Sequence, residues 1–220
     1  MRELAPMKNI DFFFDFISPY ACLAFEKLPE TLMGLSYSVT YKPVLFAAML
    51  QHHGQLGPAE IQPKRDWTYR QVAWLAHTQG VELQMPAAHP FNPLPLLRLA
   101  VASNPQGAPN RYVTEALFHH VWHGGADAAD PQRLETLVAQ IAPPRDPNGD
   151  EVKAQLKAHT DAAIKQGLFG VPTMVVDGKP FWGFDALPML RGYLRGDAWF
   201  AGGAWEAATL LPTGVTRTRA

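Results

Sequence analysis

Asp11-Phe-Phe-Phe-Asp-Phe-Ile-Ser-Pro-Tyr-Ala21 is the stretch around which the chain is organised. Every second residue from position 10 to position 16 is isoleucine or phenylalanine, a period that predicts a strand with one apolar face. Ser18 then suits the N-cap of a helix whose first turn contains Pro19. Because backbone N–H groups and the dipole favour negative charge at a helix start, the Ser18 hydroxyl could face an anion or a thiolate. An ordinary capping serine is the alternative.

The composition limits the class of protein. The 220 residues are 47% hydrophobic with a net charge of −1, enough for a sizeable core and without the basic excess of nucleic-acid-binding proteins. No apolar run is long enough to span a bilayer, and no secretory apolar segment opens the chain, so we expect a cytoplasmic protein without a membrane partner. The single cysteine, Cys22, excludes an intrachain disulfide and a Cys-x-x-Cys pair.

The order of predicted elements indicates an α/β fold. A helix over 19–32 and an alternating strand over 36–41 complete a β-α-β unit with the first strand. Helical patterns alone follow as far as residue 166. Strands return at 173–176 and 179–182, joined by an Asp-Gly turn that is typical of a hairpin, and a closing helix spans 184–194.

Two such short halves most simply form one four-stranded sheet, with the helical block inserted between them. This is the thioredoxin-like arrangement, β-α-β followed by β-β-α, with a large all-helical insertion. We place the first half at 8–45, the inserted helical domain at 46–166, the second half at 167–212 and a frayed tail at 213–220.

Two motifs carry a family resemblance. Ser18-Pro-Tyr-Ala21 looks like the Cys-Pro-His-Cys turn of bacterial disulfide oxidoreductases with serine and alanine in place of the cysteines, and Gly170-Val-Pro-Thr173 looks like their cis-proline loop. Together with Phe181-Trp-Gly-Phe-Asp185, these motifs resemble 2-hydroxychromene-2-carboxylate isomerases, which are relatives of kappa-class glutathione transferases.

The resemblance implies a glutathione site. Ser18 would hold and activate the glutathione sulfur, with Pro19 beside it, and a cis Pro172 would turn the Val171 backbone toward the cysteinyl part of the ligand. The remaining ligand contacts would come from Asp185 to the γ-glutamyl ammonium group, from the Phe184 backbone N–H and from the Gln55 amide. Alternatives are a helix-capping role for Asp185 and a trans peptide bond at Pro172.

A small aromatic substrate would bind beside the sulfur. Tyr20, Lys64 and Asn92 are candidates for contacting it, although Lys64 could equally be a solvated surface residue. His52 and His53 could line the mouth of the site. Because proteins of this family are commonly dimers, we expect a homodimer.

Several other residues invite functional interpretation. His119 and His123 are one helical turn apart, but with only Asp127 as a further ligand nearby we expect no metal site. Cys22 is expected to be a small buried residue, and Trp67 and Trp74 are expected in the core.

The leading functional prediction is a glutathione-dependent isomerase of aromatic catabolism. It would interconvert 2-hydroxychromene-2-carboxylate and trans-o-hydroxybenzylidenepyruvate, or a similar substrate. The alternatives are a kappa-class-like glutathione transferase and a glutathione- or peptide-binding protein without turnover. The missing cysteine pair argues against a dithiol oxidoreductase.

Overall fold

The computed structural model describes residues 7–215, so part of the predicted tail, at 216–220, lies outside the described residues. Its strands are β1 (Lys8–Phe14), β2 (Tyr37–Pro43), β3 (Thr173–Val176) and β4 (Lys179–Trp182). Its helices are α1 (Pro19–Thr31), α2 (Phe46–His52), α3 (Gln62–Gln79), α4 (Leu94–Ala102), α5 (Arg111–Trp122), α6 (Pro131–Ile141), α7 (Asp150–Lys165), α8 (Leu187–Leu194), α9 (Ala198–Ala201) and α10 (Ala204–Ala207). Single 3₁₀ turns occupy Pro58–Glu60 and Phe184–Ala186.

The sheet has the strand order β2-β1-β3-β4. β1 runs parallel to β2 and antiparallel to β3, and β3 forms a hairpin with β4. The predicted thioredoxin-like fold with its helical insertion is therefore confirmed. Because β1 is central, the turn at its carboxyl end is bordered both by the connection that leaves β2 and by the loop that enters β3.

The side chains of β1 divide between two apolar clusters because they alternate across the sheet. Phe12 and Phe14 face α1 and belong to the main cluster, which also contains Leu28. Phe13 faces the other side and packs with Met49 of α2 and Ala163 of α7. The start of α1 is thus fixed to a strand that is covered on both faces.

The helical block shares the main core with the sheet. Phe118 of α5 lies with its ring centroid 5.5 Å from that of Phe14, 4.9 Å from that of Phe16 and 5.2 Å from that of Phe25. The insertion therefore packs directly against the strand and the helix that carry Ser18.

The expectation that Trp67 and Trp74 lie in the core is wrong. Each of these α3 side chains is 63% exposed. The helix buries its opposite side instead, through Val72 and Ala76 against Leu23 of α1. Since only one side of α3 meets the rest of the protein, the tryptophans remain in solvent.

Among residues 7–215, no helix combines the length and the apolar character needed to cross a membrane.

Candidate active site

Ser18 begins α1 as predicted. Its backbone is extended, with φ −91° and ψ 114°, and its Oγ accepts a hydrogen bond from the Ala21 N–H at 3.2 Å. The side chain is buried at 7% exposure. Because the capping bond uses an oxygen lone pair, the hydroxyl hydrogen stays available for donation.

The hydroxyl faces the proline loop. The Val171–Pro172 peptide bond is cis, as the resemblance implied. Ser18 Oγ donates to the Val171 carbonyl at 3.5 Å, and Thr173 Oγ1 holds the same loop by donating to the Gly170 carbonyl at 2.7 Å. A hydrogen bond of 3.5 Å is weak, so a better acceptor could take the Ser18 hydrogen.

A buried carboxylate supports the turn from inside. Asp15 is fully buried and accepts hydrogen bonds from Ile17 N–H at 3.1 Å and Phe46 N–H at 2.9 Å. Burial raises the pKa of Asp15 to about 7, and the hydrogen bonds from backbone N–H groups oppose this rise. Asp15 thereby joins the start of α2 to the turn that presents Ser18.

Two side chains of the insertion bind carbonyls of the same turn. Trp122 Nε1 donates to the Phe16 carbonyl at 3.0 Å, and His89 Nε2 donates to the Ile17 carbonyl at 2.8 Å. Since the Ile17 oxygen can only accept, Nε2 carries a proton. The Tyr69 hydroxyl donates to the His89 carbonyl at 2.9 Å and lies 2.7 Å from His89 Nδ1. Burial lowers the pKa of His89, which favours the neutral form.

Three predicted site residues lie near one another on the side of Ser18 that faces α3, namely Tyr20, Phe184 and Asp185. The Tyr20 hydroxyl donates to Gln71 Oε1 at 2.6 Å, and Phe184 packs in the cluster that contains Tyr20. The pKa of Tyr20 is raised, first by burial and further by the nearby negative charge of Asp185. Asp185 is exposed and makes no capping hydrogen bond to α8, so its carboxylate can meet a ligand.

Gly183 allows Asp185 to adopt this position. Its φ is +95°, a region that side chains disfavour, and a Cβ atom there would lie 2.5 Å from Asp185 Oδ1.

The structure places three other predicted residues on the surface without joining them to Ser18. Gln55 follows α2, Lys64 lies in the first turn of α3, and Asn92 precedes α4, all three exposed. Asn92 Oδ1 accepts from the Leu94 N–H at 3.1 Å, so this side chain orders the start of α4. Within residues 7–215, no hydrogen bond connects any of the three to Ser18.

The predicted histidines of the mouth differ in their contacts. His53 lies with Nε2 3.3 Å from the Leu168 carbonyl, which ties α2 to the segment before Pro172. His52 is exposed and contacts the His53 ring edge-to-face.

Three other residues considered in the sequence, His119, His123 and Cys22, have contacts that a structural role explains. The His119 and His123 rings stack at 3.9 Å, and His119 Nε2 lies 2.9 Å from Glu26 Oε1. Glu115 completes a group with Glu26 and His119 whose ligand atoms lie within 4.8 Å of one another, but Arg111, 3.7 Å from Glu115, already supplies positive charge there. Cys22 is fully buried as predicted, and burial raises the pKa of its thiol well above the ordinary value.

Sequence reasoning missed four residues that hold the turn, namely Asp15, Tyr69, His89 and Trp122. The only signal was the proline-rich segment around His89, whose stiffness suggested a fixed connection without indicating what His89 contacts. Each role depends on a hydrogen bond to a residue 20 to 106 positions away in the chain, which no local pattern encodes.

The comparisons with known proteins agree with this geometry. A family model described as a DSBA-like thioredoxin domain matches residues 9–195. The 2-hydroxychromene-2-carboxylate isomerase of Sphingobium xenophagum is 31% identical over 195 residues, which cover 85% of this chain and 98% of that protein. Glutathione S-transferase kappa 1 of Rattus norvegicus is 26% identical over 210 residues, which cover 86% of this chain and 92% of that protein.

A solved structure of 2-hydroxychromene-2-carboxylate isomerase superposes with a TM-score of 0.72 at 21% identity, over 93% of this chain and 100% of that one. This likeness concerns the fold. Taken with the family model and the 31% identical relative, it leads to one assignment: the chain belongs to the DSBA-like thioredoxin family, among the 2-hydroxychromene-2-carboxylate isomerases and their kappa-class glutathione transferase relatives.

Proposed function

We propose that this protein is a glutathione-dependent isomerase that interconverts 2-hydroxychromene-2-carboxylate and trans-o-hydroxybenzylidenepyruvate, or a similar aromatic substrate. The observation that carries the proposal is the buried Ser18 hydroxyl, oriented by Ala21 N–H and aimed at the cis-proline loop. A hydroxyl cannot exchange disulfides, but it can donate a hydrogen bond to sulfur.

Ser18 would make a bound thiol more acidic. A charge-assisted hydrogen bond contributes about 1.5–3 kcal/mol, and a helix start adds roughly 0.3–1 kcal/mol. At about 1.4 kcal/mol per pKa unit, these effects lower a thiol pKa of about 8.5 by roughly one to three units. The thiolate would then predominate near neutral pH.

The proposed contacts to glutathione follow from the charge and the hydrogen-bonding groups of the residues predicted for the site. The Val171 backbone would pair with the cysteinyl part in the manner of an added strand. Asp185 would meet the γ-glutamyl ammonium group, and the Gln55 amide would bind a polar group of the ligand. Phe184 offers only its backbone N–H, because its side chain packs against α1 and α3.

When bound, glutathione supplies a thiolate that adds reversibly to the conjugated double bond, so that rotation occurs about a single bond before elimination. The protein's part is to keep the sulfur ionised through Ser18 and to orient the aromatic substrate. Tyr20 is two positions after Ser18 in the chain and is half-buried, which suits contact with an aromatic ring. Lys64 and Asn92 are the candidates for binding the pyruvyl carboxylate.

Glutathione transfer to an electrophile is the second candidate function. The relation to kappa-class transferases favours it, and the same Ser18 site would serve it. The two functions differ in the acceptor, so the isomerisation of benzylidenepyruvate and the conjugation of chlorodinitrobenzene should be assayed side by side.

The Ser18→Ala variant tests the shared site. We expect isomerisation to need glutathione in the wild type and to fall about 10²-fold or more in the variant, as when an oxyanion-hole donor is removed. Loss of the cap should cost about 1 kcal/mol of stability, so thermal melting must show that the variant is folded at the assay temperature.

Ser36→Ala is the matched control, because Ser36 is an exposed serine that precedes β2. Unchanged turnover in Ser18→Ala, or turnover without glutathione, would contradict the proposal.

The expected homodimer stays a prediction, which light scattering of the purified protein can check.

A further inference from the structure

A cavity of about 190 Å³ lies between α2, α4 and α7, outside the candidate active site. Its apolar wall is formed by Leu45, Ala48, Leu94 and Leu156. Neither Ser18 nor any residue of the proline loop lines it. The cavity therefore needs an explanation of its own.

Arg98 lines this cavity and makes no side-chain hydrogen bond to residues 7–215. Its Nε is buried and has no hydrogen-bond acceptor, and no carboxylate of residues 7–215 forms an ion pair with it. Arg145 also has a buried Nε without a partner, but its two terminal nitrogens donate to Gln155 and to the Asn104 carbonyl, whereas no terminal nitrogen of Arg98 has a partner among residues 7–215. Since an unpaired buried donor destabilises the fold, Arg98 is suited to an acceptor that comes from outside the chain.

The other polar groups of the cavity are already paired. Lys153 lies 3.2 Å from Asp150, and Lys157 lies 2.5 Å from Asp161. The Thr160 hydroxyl accepts from Leu45 N–H and donates to the Leu156 carbonyl. Arg98 therefore supplies the uncompensated positive charge of this space.

We propose that this cavity binds a small carboxylate with an apolar body. The guanidinium would hold the carboxylate through two parallel hydrogen bonds, and the leucine side chains would cover the apolar body. The volume is below the roughly 300–1,000 Å³ of pockets for drug-sized ligands, so the ligand should be no larger than about one ring or a short chain. The proposal is independent of the activity proposed for Ser18.

Calorimetric titration of the full-length protein with sodium benzoate tests this site. The titration is repeated with benzyl alcohol, which lacks the carboxylate, and with inorganic phosphate, which lacks the apolar body. Each titration is run with and without saturating glutathione. The variants are Arg98→Met, Arg98→Lys and, as a matched control, Arg195→Met, which removes an exposed arginine after α8.

We expect benzoate to bind the wild type and Arg195→Met equally, and Arg98→Met roughly 10- to 100-fold more weakly. Arg98→Lys should be intermediate, because lysine keeps the charge and loses the two-point geometry. Benzyl alcohol and phosphate should each bind more weakly than benzoate.

Several results would overturn the proposal. These are no heat of binding with wild-type protein, equal benzoate affinity in a folded Arg98→Met variant, or phosphate affinity equal to that of benzoate. Displacement of benzoate by glutathione would place the benzoate at Ser18 and would also reject a separate site. Melting curves of all variants establish that each comparison is made between folded proteins.

Discussion

At the scale of single residues, two effects act in opposite directions on the pKa of Asp15. Burial disfavours its charge, whereas two backbone N–H groups stabilise the charge. Burial prevails and raises the pKa to about 7 from 3.8. The folded protein therefore retains a proton that the unfolded chain releases between these values, and Asp15 is the ionisable group packed beneath the Ser18 turn.

This shift predicts a pH dependence of stability. The contribution of neutral Asp15 to the free energy of unfolding is fully present below pH 3.8 and is lost as the pH rises through about 7. At about 1.4 kcal/mol per unit, the total effect is on the order of 4 kcal/mol. Urea unfolding from pH 5 to pH 8 should show that the difference between the wild type and Asp15→Asn shrinks with rising pH.

The comparison of the wild type with Asp15→Asn is its own control, since all other ionisable groups are the same in both proteins and their contributions cancel in the difference. The amide also loses one of the two backbone hydrogen bonds, which lowers stability at every pH by a similar amount. A difference in unfolding free energy that is independent of pH would show that Asp15 does not titrate in this range.

The sequence was informative about residues whose role is local. Ser18 could be predicted as a helix cap because strand, cap and first-turn proline are consecutive, whereas the cis bond at Pro172 was implied only by the family resemblance. Asp15 could not be singled out, since a charged residue at the end of a strand is usually exposed. Its burial depends on α2, which covers that face only after β2 has been placed.

At the scale of elements, α3 and α5 use their tryptophans in different ways. Trp74 of α3 is mostly exposed, whereas Trp122 of α5 is fully buried and donates to the Phe16 carbonyl. Composition could not distinguish them, because both lie on helices with apolar residues at helical spacing. What differs is how many sides of the helix meet the rest of the protein.

Alanine substitution of the two tryptophans should separate these environments. Trp122→Ala should lower the free energy of unfolding by about 3–5 kcal/mol, because it leaves a cavity and an unpaired carbonyl. Trp74→Ala should change it by no more than about 0.5 kcal/mol. Denaturant unfolding measures both, and similar losses would mean that α3 is covered in solution.

At the scale of the whole molecule, the insertion and the sheet share one core. Phe118 contacts Phe14, Phe16 and Phe25, and two side chains of the insertion bind carbonyls of the Ser18 turn. The boundaries at 46 and 166 stay predictions. The element order could be read from the sequence, but the sharing of the core could not, because ring contacts between distant segments follow from three-dimensional packing.

A shared core predicts cooperative unfolding. Helical circular dichroism and tryptophan fluorescence should report the same denaturant midpoint in the wild type. Phe118→Ala should move both midpoints together and cost about 3–5 kcal/mol. Two separate transitions would show that the helical block unfolds independently of the sheet.

The strand order also determines when β1 can pair with each of its neighbours during synthesis on the ribosome. β1 can pair with β2 early, but its second neighbour, β3, follows only after residues 44–172, which take roughly 6–26 s to translate at about 5–20 residues per second. During that interval the phenylalanine-rich strand presents one unpaired edge, on which other nascent chains can pair. We therefore expect the tendency to aggregate to be greatest before residue 176 is made, while the edge of β1 that later pairs with β3 is open.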